Sequence, residues 1–307
     1  MKKILLLGAN GQVGFELARS LAPLGDLQVA VREAPQSGLG SALRVDLANP
    51  ETLDAALHSV QPDIVVNAAA YTAVDRAEDD ANLAERVNHW ALTVLGAWAA
   101  RSGARVVHYS TDYVFDGSAT QPYREDDATA PLGVYGSSKL AGENALRDSG
   151  CDHLILRTAW VYAARGHNFL RTMLRLAGER DQLRIVADQR GAPTSARLIA
   201  AATALALARC LDSERSLDGT YHLSAGGVCS WYDFALALLQ RAAAAGVVAC
   251  VPDVVPIATA DYPTRAARPA YSVLDTSRFR TTFGLQLPAW QSGLDAVIGE
   301  LADAHRT

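Results

Sequence analysis

Ile4-Leu5-Leu6-Leu7-Gly8-Ala9-Asn10-Gly11-Gln12-Val13-Gly14 is the stretch on which the fold turns. Four apolar residues in a row, without polar alternation, are the pattern of a short strand buried on both faces, as in a parallel sheet covered by helices. The run stops at Gly8, too early for the apolar core of a signal peptide. Three glycines at this spacing permit a tight turn, a close backbone approach to a pyrophosphate, and contact between the strand and the helix that follows. That helix would point its N-terminus, with unpaired N–H groups, at the anion. Gly8, Asn10, Gly11, Gln12, Val13 and Gly14 are therefore candidate cofactor-binding residues. The competing reading is a plain turn.

Outward from this turn, apolar runs recur at 27–31, 43–45, 64–67 and 106–109, separated by helical patterns. Five strand candidates before residue 110, alternating with helices, predict an α/β fold with a Rossmann-type doubly wound parallel sheet. The second strand ends at Arg32, where such a fold meets the adenosine ribose. A guanidinium suits a 2′-phosphate better than a bare 2′-hydroxyl, which favours NADP over NAD, with NADH as the alternative. Asp46, followed by Leu47, stands at the next strand end, where its carboxylate can accept from an adenine amino group or cap the helix near Pro50. After Asn67, the small residues Ala68, Ala69 and Ala70, with Tyr71 and Thr72, leave room for a cofactor beside the backbone. Asn88, inside the following helical stretch, would support the site through water or backbone, or simply pack.

The chemistry is expected between Ser110 and Lys139. Tyr135 and Lys139 stand four residues apart and so share a helix face. An ammonium beside a phenol favours the phenolate and lowers the tyrosine pKa, which makes proton exchange accessible near neutral pH. Ser110 or Thr111, at the mouth of the preceding strand, can supply a hydroxyl to the oxygen that the phenol protonates. A tyrosine and a lysine at this spacing also occur as ordinary surface contacts, so the placement at strand ends carries the argument.

The composition fits this reading. The chain has 307 residues, 50% of them hydrophobic and 20% charged, with a formal net charge of -5. No long basic run is present, which argues against nucleic acid or an anionic membrane as partner. No segment is apolar enough to span a bilayer. Cys151, Cys210, Cys229 and Cys250 are scattered, without metal spacing or a disulfide framework, and suit a reducing cytoplasm. The histidines likewise lack ligand spacing, so no metal is expected.

Taken in order, the glycine-rich turn, Asn67-Ala-Ala-Ala70, Ser110-Thr-Asp-Tyr113 and Tyr135-x-x-x-Lys139 resemble the extended short-chain dehydrogenase/reductase superfamily, in its nucleotide-sugar branch. Within that branch, 110–117, 157–162, 188–194 and 67–75 are similar to the dTDP-4-dehydrorhamnose reductase family. The resemblance implies NADPH-dependent reduction of the C4 ketone of dTDP-4-dehydro-β-L-rhamnose to dTDP-L-rhamnose, the last step of dTDP-rhamnose biosynthesis. It implies Tyr135 as general acid, Lys139 as the residue that holds the nicotinamide ribose and tunes Tyr135, and Thr111 as the donor that polarises the ketone. Asp112, Tyr113 and Trp160 match positions that line the sugar pocket, alongside Thr111 and Tyr135. A diphosphate calls for a cationic cradle, for which Arg265 and Arg268 are the candidates and Arg265 is taken. Some members bridge a dimer through magnesium. Glu16 matches one of those acidic positions but Arg197 replaces another, so a monomer or weak homodimer without metal is expected.

The second half predicts a helix over 168–178, a strand over 183–186, a helix over 194–210, a strand over 219–223 and a capping box at Ser230 and Asp233. Helices are also expected near Thr276 and Trp290. The expected division is a dinucleotide-binding part, 1–162 plus 193–224, interleaved with a smaller α/β substrate-binding lobe, 163–192 plus 225–307. Three other functions stay open: reduction of another dTDP-4-keto-6-deoxy sugar, epimerisation of a nucleotide sugar, and a non-catalytic cofactor-binding regulatory subunit of the methionine adenosyltransferase type. Retention of Thr111, Tyr135 and Lys139 together weighs against the last.

Overall fold

A computed structural model describes residues 1–33 and 42–306, without the side chains of 305 and 306. Its centre is a parallel seven-stranded sheet. Across the sheet the strands run Gly219–His222, His153–Thr158, Arg105–Thr111, Ile64–Asn67, Lys3–Leu7, Asp26–Val31 and Leu43–Arg44. The predicted doubly wound sheet is therefore present. Ile4 to Leu7 are almost fully buried. One face of the sheet packs through Ile4 and Leu6 and the other through Leu5 and Leu7, which is why the run has no polar alternation.

Strand order reverses at Lys3–Leu7, opening a crevice between its C-terminal end and that of Ile64–Asn67. Gly8 takes a φ of +79°, and a Cβ on it would come within 2.8 Å of the Ala69 nitrogen. A Cβ on Gly14 would lie 2.0 Å from the Gly8 carbonyl oxygen. Gly14 thus brings the helix Gln12–Leu21 down onto the turn.

Helix ends follow local chemistry. Asn49 caps Pro50–Val60 by accepting from the Glu51 nitrogen at 3.1 Å, and Asp46 instead accepts from Ala48 at 3.0 Å, so the cap role considered for Asp46 belongs to Asn49. Ser195 caps Ala196–Asp212, so the helix expected from 194 starts two residues later. The capping box of Ser230 and Asp233 opens Trp231–Ala244 as expected. The helical stretch around Asn88 is not one regular helix: Ala81–Glu85 passes through a π-helical turn, Arg86–Trp90, into Ala91–Ser102. The wide turn aims the buried Asn88 at the chain beyond Ala70, where its Oδ1 accepts from the Tyr71 nitrogen at 2.9 Å and its Nδ2 donates to the Tyr71 carbonyl at 3.1 Å.

A second core gathers Phe169–Ala177, Trp231–Ala244 and Trp290–Arg306 around the parallel pair Gln182–Val186 and Asp253–Ile257. The helix Ser277–Phe283 lies elsewhere, with Phe279 and Phe283 against Tyr221 in the core of the main sheet. The large cavity of the molecule lies between these two cores.

Candidate active site

The cavity has a volume of about 1420 Å³ and runs from the glycine-rich turn to the second lobe. A single small-ligand site is typically on the order of 300 to 1,000 Å³. There is room for two ligands meeting end to end. Gly8, Asn10, Gly11, Gln12, Val13, Arg32, Asp46, Leu47, Ala68, Ala69, Ala70 and Thr72 line one arm, as read from the sequence. Gly14 is a packing residue behind it. Tyr71 is also outside the lining, since its phenol donates to Asp80 at 3.2 Å and its backbone is held by Asn88. Arg32 faces this arm with its guanidinium 3.1 Å from Glu33.

This arm fits a dinucleotide. Gly11 precedes the helix Gln12–Leu21 without a capping side chain, so the first-turn N–H groups stay available to an anion. The close approach of Gly8 to Ala69 leaves no bulk over the turn.

Where the arms meet, Thr111, Tyr135 and Lys139 come together with Asp112, Tyr113 and Trp160. Val134–Asp148 carries Tyr135 in its first turn, and its start is tied down by Glu78, which accepts from the Val134 nitrogen at 2.9 Å. The Tyr135 phenol lies beside the Thr111 hydroxyl and meets Tyr113 edge to face, with ring centroids 5.6 Å apart. Thr111 Oγ1 donates to Asp112 Oδ1 at 3.0 Å and accepts from the Tyr113 nitrogen at 3.2 Å. A hydroxyl has one proton. Thr111 can donate to a ketone only by turning away from Asp112.

Lys139 departs from expectation. Its ammonium does not face the phenol but donates to the Tyr109 carbonyl at 2.6 Å, with His108 Nε2 at 3.1 Å. Burial therefore prevails at Tyr135 and pushes the phenol above its ordinary value, against the smaller opposing effect of the Thr111 hydroxyl. Burial also lowers Lys139 to about 7, in spite of Glu143.

Asp112 is 2% exposed, and burial raises its carboxyl to about 6 against the Ser272 and Thr111 hydroxyls. Since the folded pKa is raised, its contribution to stability is complete below the unfolded value near 3.8 and is lost as pH rises through about 6. Asp112→Asn, which cannot ionise, is expected to stabilise the protein at pH 7.5 by on the order of 2 to 3 kcal/mol, a gain that shrinks as pH approaches 4. Urea unfolding at both pH values checks it; equal effects at the two would contradict the burial argument.

Trp160 has a φ of +48°, unusual for a bulky residue and costly unless its surroundings impose it. They do: its ring stacks on Trp231 at 3.6 Å between centroids, 5° from parallel, and a Cβ on Gly191 would lie 2.4 Å from the indole. Trp231 also lines the cavity and was visible in the sequence only as part of a capping box. Arg265 lies outside the lining, paired with Asp79. Arg268 is the arginine at the wall, donating to the Tyr113 phenol at 3.1 Å and to Asp75 at 2.6 Å. Both share a Thr-Arg-Ala-Ala-Arg segment, and nothing local in it tells which side chain turns inward. Arg197 pairs with Glu300 at 2.8 Å and approaches Glu16 at 3.9 Å.

A family model described as the RmlD substrate binding domain matches residues 1–303. The chain is 49% identical to a dTDP-4-dehydrorhamnose reductase of Burkholderia thailandensis, over 97% of this chain and 99% of that protein. It is 46% identical to the reductase of the same name from Escherichia coli K12, over 97% of each. Among solved structures it resembles dTDP-4-dehydrorhamnose reductase from Bacillus anthracis in complex with NADP, with a TM-score of 0.85 and 33% identity over 97% of this chain and 99% of that one.

Proposed function

From the premise that this chain belongs to the family described as the RmlD substrate binding domain, we propose that it is a dTDP-4-dehydrorhamnose reductase. It reduces the C4 ketone of dTDP-4-dehydro-β-L-rhamnose to dTDP-L-rhamnose with NADPH. The observation that carries this reading is the convergence of Thr111, Tyr135 and Lys139 where the dinucleotide arm of the cavity opens onto the Trp160 wall.

Gly8, Gly11 and the Gln12–Leu21 N-terminus would hold the cofactor pyrophosphate, and Arg32 its 2′-phosphate. When bound, the nicotinamide supplies hydride. Tyr135 gives its proton to the ketone oxygen, and its raised pKa keeps it protonated for that task. Thr111 orients the phenol, while Asp112 and Tyr113 meet the sugar and the stacked pair Trp160 and Trp231 supplies a flat apolar wall. Arg268 takes the place given to Arg265 as the cationic group beside the substrate. In this reading 163–192 plus 225–307 is the substrate lobe, except for 277–287, which packs on the dinucleotide-binding part. The buried thiols Cys151, Cys210 and Cys229 suit a reducing cytoplasm, and the working form is proposed as a monomer or weak homodimer without metal.

The test is NADPH oxidation followed by absorbance, with dTDP-4-dehydrorhamnose generated in the assay and dTDP-L-rhamnose identified as product. No oxidation by folded, NADPH-binding protein would overturn the reading in favour of another keto sugar or a regulatory subunit. Arg32→Ala is expected to raise KM for NADPH about tenfold while leaving KM for NADH within twofold, the loss of one charge-assisted phosphate contact. Equal changes for both cofactors would remove Arg32 from the 2′-phosphate.

A further inference from the structure

The indole of Trp160 is gripped from both sides. Trp231 covers one face, ring on ring, with centroids 3.6 Å apart and planes 5° from parallel. Gly191 covers the other. A Cβ on Gly191 would stand 2.4 Å from Cε2, 2.6 Å from Nε1 and 2.7 Å from Cζ2. Cε2 is bonded to the other two atoms, and an approach in the ring plane would meet one of those first, so a point nearest to Cε2 lies over the ring. With Trp231 on one face, that point belongs to the opposite one. The two jaws form one unit: Gly191 pairs with Cys229 and Arg190 with Ser230 in a short antiparallel ladder, and Trp231 follows Ser230 at once. Cys229 anchors the ladder in the second core, whereas Trp160 comes from the main sheet, two residues after the strand His153–Thr158.

The grip sets the backbone as well as the ring. The φ of +48° is a conformation that a bulky residue leaves unless its surroundings hold it. The Trp160 carbonyl accepts from the Thr194 nitrogen at 3.2 Å, which fixes the next peptide, and the jaws fix the side chain. With both faces covered, Trp160 leaves only its ring perimeter to the cavity. The apolar wall that this pair supplies is therefore a wall of ring edges, and on it the Trp160 Nε1–H is a donor. Among the described residues it has no acceptor, and it is not one of the sealed polar atoms, so it opens onto the cavity that Trp160 lines. Thr158, two residues earlier, pairs in register with Thr111. The N–H thus borders the part of the cavity where a ketone would meet Thr111 and Tyr135.

We propose that Gly191 and Trp231 are positioning residues for the substrate, which hold the Trp160 indole edge-on to the cavity so that its N–H donates to an oxygen of the sugar. Gly191 is required because any side chain there would take the space of the indole, and Trp231 because a flat aromatic face stops the ring from tipping. The stretch 188–194 gains a task in this way: Gly191 bears on the Trp160 ring and Thr194 on its carbonyl. The identity of the sugar rests on the reductase reading.

The chain contains five tryptophans, so nitrogen-15 labelling of the indoles gives five N–H signals, of which Trp160→Phe identifies one. Titration of the full-length parent, saturated with NADP+, with dTDP-L-rhamnose is expected to move the Trp160 signal downfield, while dTDP alone leaves it in place. Gly191→Ala and Trp231→Leu are each expected to abolish that shift and to lower kcat/KM for the keto sugar about tenfold, the loss of one hydrogen bond, with KM for NADPH within twofold. Trp231→Phe keeps an aromatic face and should stay within threefold of the parent. In the Trp160→Phe background, where the smaller ring leaves room for a Cβ, Gly191→Ala should cost less than threefold. An unmoved Trp160 signal in a parent that binds dTDP-L-rhamnose, an equal shift with dTDP alone, or an equal cost of Gly191→Ala in both backgrounds would overturn the proposal. Should Gly191→Ala fail to fold, Trp231→Leu and the parent titration decide. A folded parent that does not bind dTDP-L-rhamnose at all would overturn the reductase reading and this proposal with it.

Discussion

Tyr135→Phe is expected to lower kcat for NADPH oxidation by about 10²- to 10⁴-fold, the usual contribution of a positioned general acid. The phenol is the group at the cavity wall that carries a transferable proton beside the Thr111 hydroxyl, and burial keeps that proton in place across neutral pH. Phe retains the edge-to-face contact with Tyr113 and removes only the hydroxyl, so the affinity for NADPH, followed by its fluorescence, should change less than threefold. A loss confined to kcat would mark an interaction made in the transition state. If the variant turns over within a few-fold of the parent, Tyr135 is not the acid, and the proton comes from water or from Asp112.

The second large effect concerns stability. Arg157, on the strand His153–Thr158, binds Glu143 through two parallel hydrogen bonds of 2.9 and 2.7 Å, and the two side chains are 3% and 0% exposed. Burial pushes the Glu143 carboxyl up, but the hydrogen bond and charge of Arg157 outweigh it and leave the group below its ordinary value. Arg157→Leu would strand a buried carboxylate with Arg147 alone and is expected to cost about 3 to 5 kcal/mol. Because Glu143 is depressed in the parent, its contribution is present above the unfolded pKa and is lost as pH falls through the folded one. The deficit of the variant should therefore be largest at neutral pH and narrow towards pH 5, as the stranded carboxyl takes up a proton. Replacing both partners, Glu143→Leu with Arg157→Leu, should recover most of the loss, since an apolar pair needs no desolvated charge. Denaturant titrations of the single and double variants at the two pH values check this; a double variant no better than the single would mean that Arg157 acts through its contact with Phe115 instead. The pair joins the helix that carries Tyr135 and Lys139 to the strand that leads to Trp160, so its loss should also loosen the site.

The sequence alone determined the frame. Ile4 to Leu7 have no polar alternation because both faces of that strand are covered, and the turn from Gly8 to Gly14 needs residues without a Cβ at those two positions; such constraints act within a few residues and leave a local trace. The spacing of Tyr135 and Lys139, the capping box at Ser230 and Asp233, and the alternation of strand and helix are local in the same way. Tertiary structure decided what depends on partners far along the chain. The amine of Lys139 turns to His108 rather than to Tyr135 because a strand 31 residues earlier brings an imidazole and a carbonyl behind it. Trp231 joins the site only because Trp160 stacks on it across the two lobes, and Arg268 rather than Arg265 faces the cavity because Asp75 and Tyr113 hold it there. Helical and strand periods fix which residues share a face; which distant group meets that face is set by the packing of the whole chain.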